Sequence, residues 1–286
     1  MKLVNFRHHT LFLNIILASY LLLPNSTLWA QTTQLNKPHR ENLSSIDAGQ
    51  IQKKASRTVI MTIQGEIKAD LIPKVIEAMA MTTGDPLPAG FVVLLNSQGG
   101  DGLAAIEVGR LLRQAHAHVF VTDKCASACV FILMGGVVRQ APELSIGIHR
   151  ARLTAISKKT GKRIEINADA NPKTITILEE GNRKLREYVK EMGMSEQFSS
   201  LMEATPVDRM RWLSRIEARE LDIIGIEEDY LKQREAYVME RFRTKPGELK
   251  KNTDEIIDRC AYEFTKPNGG NFVRCYHLGL DRPSLN

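Results

Sequence analysis

No internal repeat runs through this 286-residue chain, and no apolar run in it is long enough to cross a membrane unaided. The first absence argues against solenoids and propellers, which need self-similar units. The longest mostly apolar run, residues 11–23, falls short of the roughly 20 residues a spanning helix requires. None of the seven histidines lies near enough in sequence to the four cysteines to complete a zinc-like set, which disfavours a metal site. Basic residues cluster over 150–163 without an interleaved aromatic ring on which a base could stack. That pattern disfavours a nucleic-acid partner and favours a solvated hairpin or a weak contact with an anionic surface. The formal charge of +6 is modest, and Lys2 and Arg7 supply part of it from the extreme N-terminus.

What is present is ordinary globular material, 43% hydrophobic and 25% charged, enough for one large domain with extensions. Lys2 and Arg7, the apolar run, the turn-like Pro24-Asn25-Ser26 and the small Ala30 make residues 1–30 read as a secretory signal peptide. Leu28 is a poor residue three positions before a cut, so an uncleaved membrane anchor is the alternative. Either reading puts the remainder outside the cytoplasm, in a periplasm or secreted. Residues 31–57 are polar and read as a flexible linker, 58–228 as the folded domain, and 229–286 as a helical extension. In an exported chain four cysteines imply disulfides with three possible connectivities. Local pairs are expected. Cys260 and Cys275 flank a Pro-Asn-Gly-Gly turn, and Cys125 and Cys129 flank a serine. The second pair requires backbone that departs from a regular helix at Cys125.

Taken in order, residues 58–67 read as a strand and 69–83 as an amphipathic helix. Residues 91–95, F-V-V-L-L, form a continuous apolar run, as expected of a strand covered by helices on both faces. A glycine turn, N-S-Q-G-G at 96–100, leads to a helix over 102–115 and a strand over 119–122. Next come C-A-S-A-C at 125–129, an apolar helix, and a short strand over 144–148 that ends on His149. A hairpin around 159–162, a long helix over 172–192, a helix over 195–204 and a turn with a short helix within 206–226 complete the domain. Strand, glycine turn and helix in alternation imply parallel βα units, whose sites gather at the carboxyl ends of strands. Both N-S-Q-G-G and C-A-S-A-C fall there. Ser127 stands where a strand ends and a helix begins, where free backbone N–H groups can stabilise an oxyanion. It is the expected nucleophile of an acyl transfer.

The order N-S-Q-G-G, A-S-A, I-H-R and finally R-W-L-S-x-x-E-A-x-E resembles the proteolytic subunit of the Clp protease and its exported relatives, over residues 58–226. The resemblance implies an α/β fold, a ClpP/crotonase-like stack of ββα units with a parallel sheet and outer helices. It implies Ser127 as nucleophile and His149 as general base, with the N–H groups of Gly99 and Ala128 binding the oxyanion. The chain departs from the family at the third member, because Met210 occupies the column of the catalytic aspartate. Asp208, two residues earlier, is the candidate substitute.

The first functional reading is therefore an exported, ATP-independent serine peptidase without a cofactor. It would act on peptides or unfolded segments and assemble as a homo-oligomer through the helix over 172–192. No ATPase partner is expected, because a periplasm lacks the nucleotide. A second reading is a non-catalytic binding or scaffold protein that keeps the fold. A third is a membrane-associated Ser-Lys peptidase using Lys158, Lys159 or Lys162.

Overall fold

The computed structural model describes residues 58–82, 90–156, 159–160, 163–166, 172–242, 245–265 and 271–281. The expected signal segment, the linker, Lys158 and Lys162 lie outside them. The described residues all belong to one compact unit, Gln52–Asn286.

Three parallel strands, β1 (Val59–Ile67), β2 (Phe91–Gly100) and β3 (His118–Ala126), lie side by side. They are joined through α1 (Leu71–Ala80) and α2 (Gly102–Gln114). Asp101 sets the start of α2, its Oδ1 accepting from the N–H groups of Leu103 (3.0 Å) and Ala104 (3.1 Å). After β3 the chain enters the short, wholly buried α3 (Cys129–Met134). It then supplies β4 (Val138–Gln140) and β5 (Ile146–Ile148), both parallel to β3. These two do not compete for the same partner atoms: β4 pairs with His118–Phe120 and β5 with Cys125 and Ala126. Two short antiparallel strands complete the sheet, β8 (Arg211–Leu213) on β5 and β9 (Gly225–Ile226) on β4. A separate hairpin of β6 (Leu153–Ile156) and β7 (Arg163–Ile166) turns at 159–160, where the sequence places it. The expected fold class, α/β with a mainly parallel sheet and outer helices, is the one observed.

The remaining helices are α4 (Pro172–Glu191), α5 (Glu196–Ala204) and α6 (Arg215–Glu220). The C-terminal segment adds α7 (Glu228–Phe242), α8 (Glu248–Cys260), a 3₁₀ turn and α9 (Phe272–Asp281).

The F-V-V-L-L run owes its uninterrupted apolarity to two cores. Phe91, Val93 and Leu95 join the cluster under α1, α2 and α3, whereas Val92 and Leu94 face a second cluster with Phe120, Tyr230, Ile256, Ile257, Phe272 and Tyr276. Alternate residues of a strand point to opposite faces, so both sides must be covered by apolar partners. The C-terminal extension provides the second cover. Its sequence suggests little apolar material, yet Phe272 and Tyr276 are fully buried against Phe120, with ring centroids 4.7 and 5.1 Å away. His118 ties the layers together: its Nε2 lies 2.8 Å from the Tyr230 hydroxyl and its Nδ1 2.8 Å from that of Tyr276.

N-S-Q-G-G is not a turn. It continues β2 through Gly100, with register shifts opposite both neighbouring strands, between Gln64 and Glu66 on β1 and between Leu95 and Ser97 on β2. The chain stays extended because Ser97 bridges the bulge, its Oγ donating to the Gly65 carbonyl and accepting the Gly99 N–H at 3.0 Å.

Candidate active site

Strand β3 delivers Ser127 and strand β5 delivers His149, one residue beyond its end. Ser127 has φ +55°, in the left-handed region that a side-chain-bearing residue occupies at a cost of about 1–3 kcal/mol. Neighbouring bonds impose that conformation. The Ser127 N–H donates to the Gly147 carbonyl (2.8 Å), and its own carbonyl accepts from Val130 N–H (3.1 Å) in the first turn of α3. Chain direction thus reverses sharply between strand and helix and leaves the half-buried serine hydroxyl facing a cavity. Ala128 follows at the start of α3, where N–H groups have no intrahelical acceptor.

Both expected disulfides are present. Cys125–Cys129 spans the elbow with Cα atoms 5.2 Å apart, and Cys260–Cys275 joins α8 to α9 with Cα atoms 5.7 Å apart. Cys125 lies on a strand and Cys129 opens the helix, so the elbow supplies the non-helical backbone that a four-residue spacing needs.

Gly99 lies directly against the elbow. A Cβ at this position would come 2.8 Å from Ser127 Cβ, 2.8 Å from the Ala126 carbonyl oxygen and 3.1 Å from Ala128 N, and its φ is +101°. Only glycine combines that backbone conformation with that approach. The amide expected to bind an oxyanion is, however, engaged, since the Gly99 N–H donates to Ser97 Oγ.

Ser127, Ala128, Gly99 and His149 all line one cavity of about 1230 Å³. The lining is apolar in part, with Phe131 from α3, Leu178 and Leu185 from α4, and Phe198 and Met202 from α5. It also includes Glu66, Asp101 and the Arg152–Glu165 ion pair (3.4 Å). His149 is 7% exposed, and its Nδ1 lies 2.7 Å from the carbonyl oxygen of Arg150. A carbonyl accepts only, so Nδ1 carries the proton and Nε2 of the neutral ring is left as an acceptor. Burial pushes the His149 pKa below the usual 6.5; the bond to the Arg150 carbonyl opposes that shift and the Arg152 charge adds to it.

Asp208 is not brought to this site. It is exposed in the turn after α5 and does not line the cavity, and the Nδ1 it would need to reach is already taken by Arg150. Met210 does line the cavity. Ile148 pairs with Arg211 at the end of the antiparallel β5–β8 ladder, and Met210 and His149 are the next residue on each side beyond that last pair. A Cβ on Gly147 would come 2.8 Å from the Met210 sulfur, which shows how closely the thioether packs on β5. Lys159 is exposed at the hairpin turn, away from the cavity. Among the described residues no cluster of His, Cys, Asp or Glu could hold a metal ion, and no helix is long and apolar enough to cross a membrane.

Sequence reasoning missed two participants. The Arg150 carbonyl orients the imidazole but is backbone, which no residue pattern marks. Ser97 braces the glycine strand, and its only signal is a hydroxyl two residues before Gly99.

The chain is similar to several solved structures. A mutant of the 1510-N membrane-bound stomatin-specific protease matches with TM-score 0.42 and 16% identity, covering 62% of this chain and 84% of that one. A second mutant of the same protease, in complex with a substrate peptide, gives TM-score 0.43 and 19% identity over 62% and 80%. A mutant of ClpP1 from Listeria monocytogenes gives TM-score 0.40 and 23% identity over 59% and 92%. No family model matches the chain, and no curated protein does.

Proposed function

We propose that this chain is a serine peptidase that works outside the cytoplasm without ATP, with Ser127 as nucleophile and His149 as general base. The observation that carries the reading is the arrangement around one cavity: a serine held at positive φ on a strand-to-helix elbow, and an imidazole whose Nδ1 proton is committed to a backbone carbonyl, leaving Nε2 to accept. Nε2 takes the proton as Ser127 Oγ attacks a peptide carbonyl, then returns it to the leaving amine; water repeats the cycle on the acyl-enzyme. The Ala128 N–H faces the developing oxyanion. The Gly99 N–H joins it by exchanging its bond to Ser97 for one to the charged oxygen, the stronger acceptor. The Arg150 carbonyl does what a carboxylate does in a complete triad, fixing the tautomer, though it stabilises the imidazolium less.

Substrates are peptides or unstructured segments, since a cavity of about 1230 Å³ takes a few side chains and not a folded domain. The disulfides fit an oxidising compartment, either a periplasm or the outer face of a membrane that holds an uncleaved N-terminal segment. A homo-oligomer built through α4 completes the proposal. Met210 in the same cavity as His149 favours a second reading, a binding protein that keeps the fold without turnover. Incubation of the purified protein with an unstructured casein chain decides between them. Peptidase action yields fragments from the wild type and none from Ser127→Ala; an intact chain in both cases leaves the binding reading.

A further inference from the structure

The two disulfides close loops of very different length, and that difference separates their roles. A cross-link stabilises a fold mainly by restricting the unfolded chain, an effect that grows with loop length. Cys260–Cys275, with a separation of 15, does this for the C-terminal extension. Cys125–Cys129, with a separation of 4, restricts the unfolded chain by about 1 kcal/mol less. It nevertheless stands where the backbone is strained, its two half-cystines enclosing only Ala126, Ser127 and Ala128. Each end is anchored independently. Cys125 pairs with Ser97 of β2 and with Ile146 of β5, and its N–H donates to the Ser145 carbonyl (2.9 Å). Cys129 begins a helix in which every residue is buried. Relaxation of Ser127 to negative φ would swing its hydroxyl and shift one anchored end against the other; the covalent bond opposes that shift.

We propose that Cys125 and Cys129 are positioning residues, and that their disulfide holds Ser127 in its competent conformation, so that the chain reaches full activity only when folded under oxidising conditions. This inference deepens the peptidase reading and rests on it for its kinetic consequence. Closing the bond removes two protons and two electrons from the two thiols, which pass by thiol–disulfide exchange to a disulfide donor such as oxidised glutathione. Both half-cystines are fully buried, so the bond is set during folding and is not toggled in the folded protein.

The test compares the oxidised wild type with C125A/C129A, C260A/C275A, and wild type produced with reduced thiols, which preserves side-chain volume if the alanine variant folds poorly. Turnover of a peptide ester and amide hydrogen exchange at the elbow are read on each folded protein. The expected result for C125A/C129A and for the reduced wild type is a kcat about 10- to 100-fold lower, KM within about twofold, and faster exchange at the Ser127 amide. C260A/C275A should keep kcat within about twofold and lose melting temperature instead. Unchanged kcat in folded C125A/C129A overturns the inference, as does a rise in KM with kcat intact. If the oxidised wild type shows no Ser127-dependent turnover, the peptidase reading fails by itself. Elbow exchange then decides the positioning role: faster exchange without the bond upholds it, and unchanged exchange overturns it.

Discussion

The ring Nδ1 of His149 lies 2.7 Å from the carbonyl oxygen of Arg150, so the imidazole is oriented by the backbone of its own neighbour and not by a carboxylate. A neutral carbonyl fixes the tautomer without adding the charge that would raise the ring's basicity, and burial lowers its pKa. As a base, His149 works only while neutral. The acid limb of the kcat/KM profile for a peptide ester should therefore fall below pH 6.5, with full activity at neutral pH. A limb above 6.5 would mean that a carboxylate partners the ring after all.

The acid position tests the same point by substitution. Asp208 is exposed and off the cavity, so Asp208→Ala should change the turnover rate by less than about twofold. Met210 lines the same cavity as His149, next to the end of the β5–β8 ladder, and Met210→Asp should move the acid limb upward, since a carboxylate there favours the imidazolium. A large loss in Asp208→Ala would restore Asp208 to the site.

Gly99 tolerates no side chain. Gly99→Ala drives a Cβ to 2.8 Å from both the Ser127 Cβ and the Ala126 carbonyl oxygen at a φ of +101°. Turnover should fall by about 100-fold or more as the elbow is displaced, with a drop in melting temperature. Kinetics and thermal unfolding of that one variant check both effects.

The Tyr230–His118–Tyr276 chain makes the second core sensitive to acid. Burial first, then the charges of Arg234, His277 and His116, push the His118 pKa down to about 3, against 6.5 in the unfolded chain. Between these values the unfolded state binds the extra proton, so stability is intact above pH 6.5 and declines as pH falls toward 3. The slope contributed by this one group reaches about 1.4 kcal/mol per pH unit. Denaturant unfolding at pH 7.5 and 5.5 should show the loss, and His118→Gln should flatten it. In the same core, Phe272→Ala should cost about 3–5 kcal/mol, because a fully buried ring between β3 and the C-terminal helices leaves a cavity.

The alternation of strands and helices was legible because both signals are local. F-V-V-L-L is too apolar for a strand with one wet face, and residues 71–80 carry their apolar side chains at helical spacing. The placement of Ser127 between a strand and a helix and of His149 at the end of a short strand was legible from the order of their motifs. The remainder depends on contacts distant in sequence. N-S-Q-G-G looks like a turn until Gly65 of β1 supplies the carbonyl that Ser97 grips. The three-residue strand Arg211–Leu213 exists only because β5 offers it a ladder. The cover over the second sheet face is spread through α8 and α9 among charged residues, so Ile256, Ile257, Phe272 and Tyr276 never form a run in the sequence. The hydrogen bond between His149 and the Arg150 carbonyl leaves no trace in residue types at all.

Activation of Ser127 by His149 is open to a direct chemical test. Labelling the purified, oxidised protein with a fluorophosphonate and locating the adduct by mass spectrometry tests it most directly. A single adduct on Ser127 of the wild type is expected, with none on Ser127→Ala and almost none on His149→Ala; a folded wild type left unmodified, or labelling that is equally strong without His149, would show that His149 does not activate Ser127.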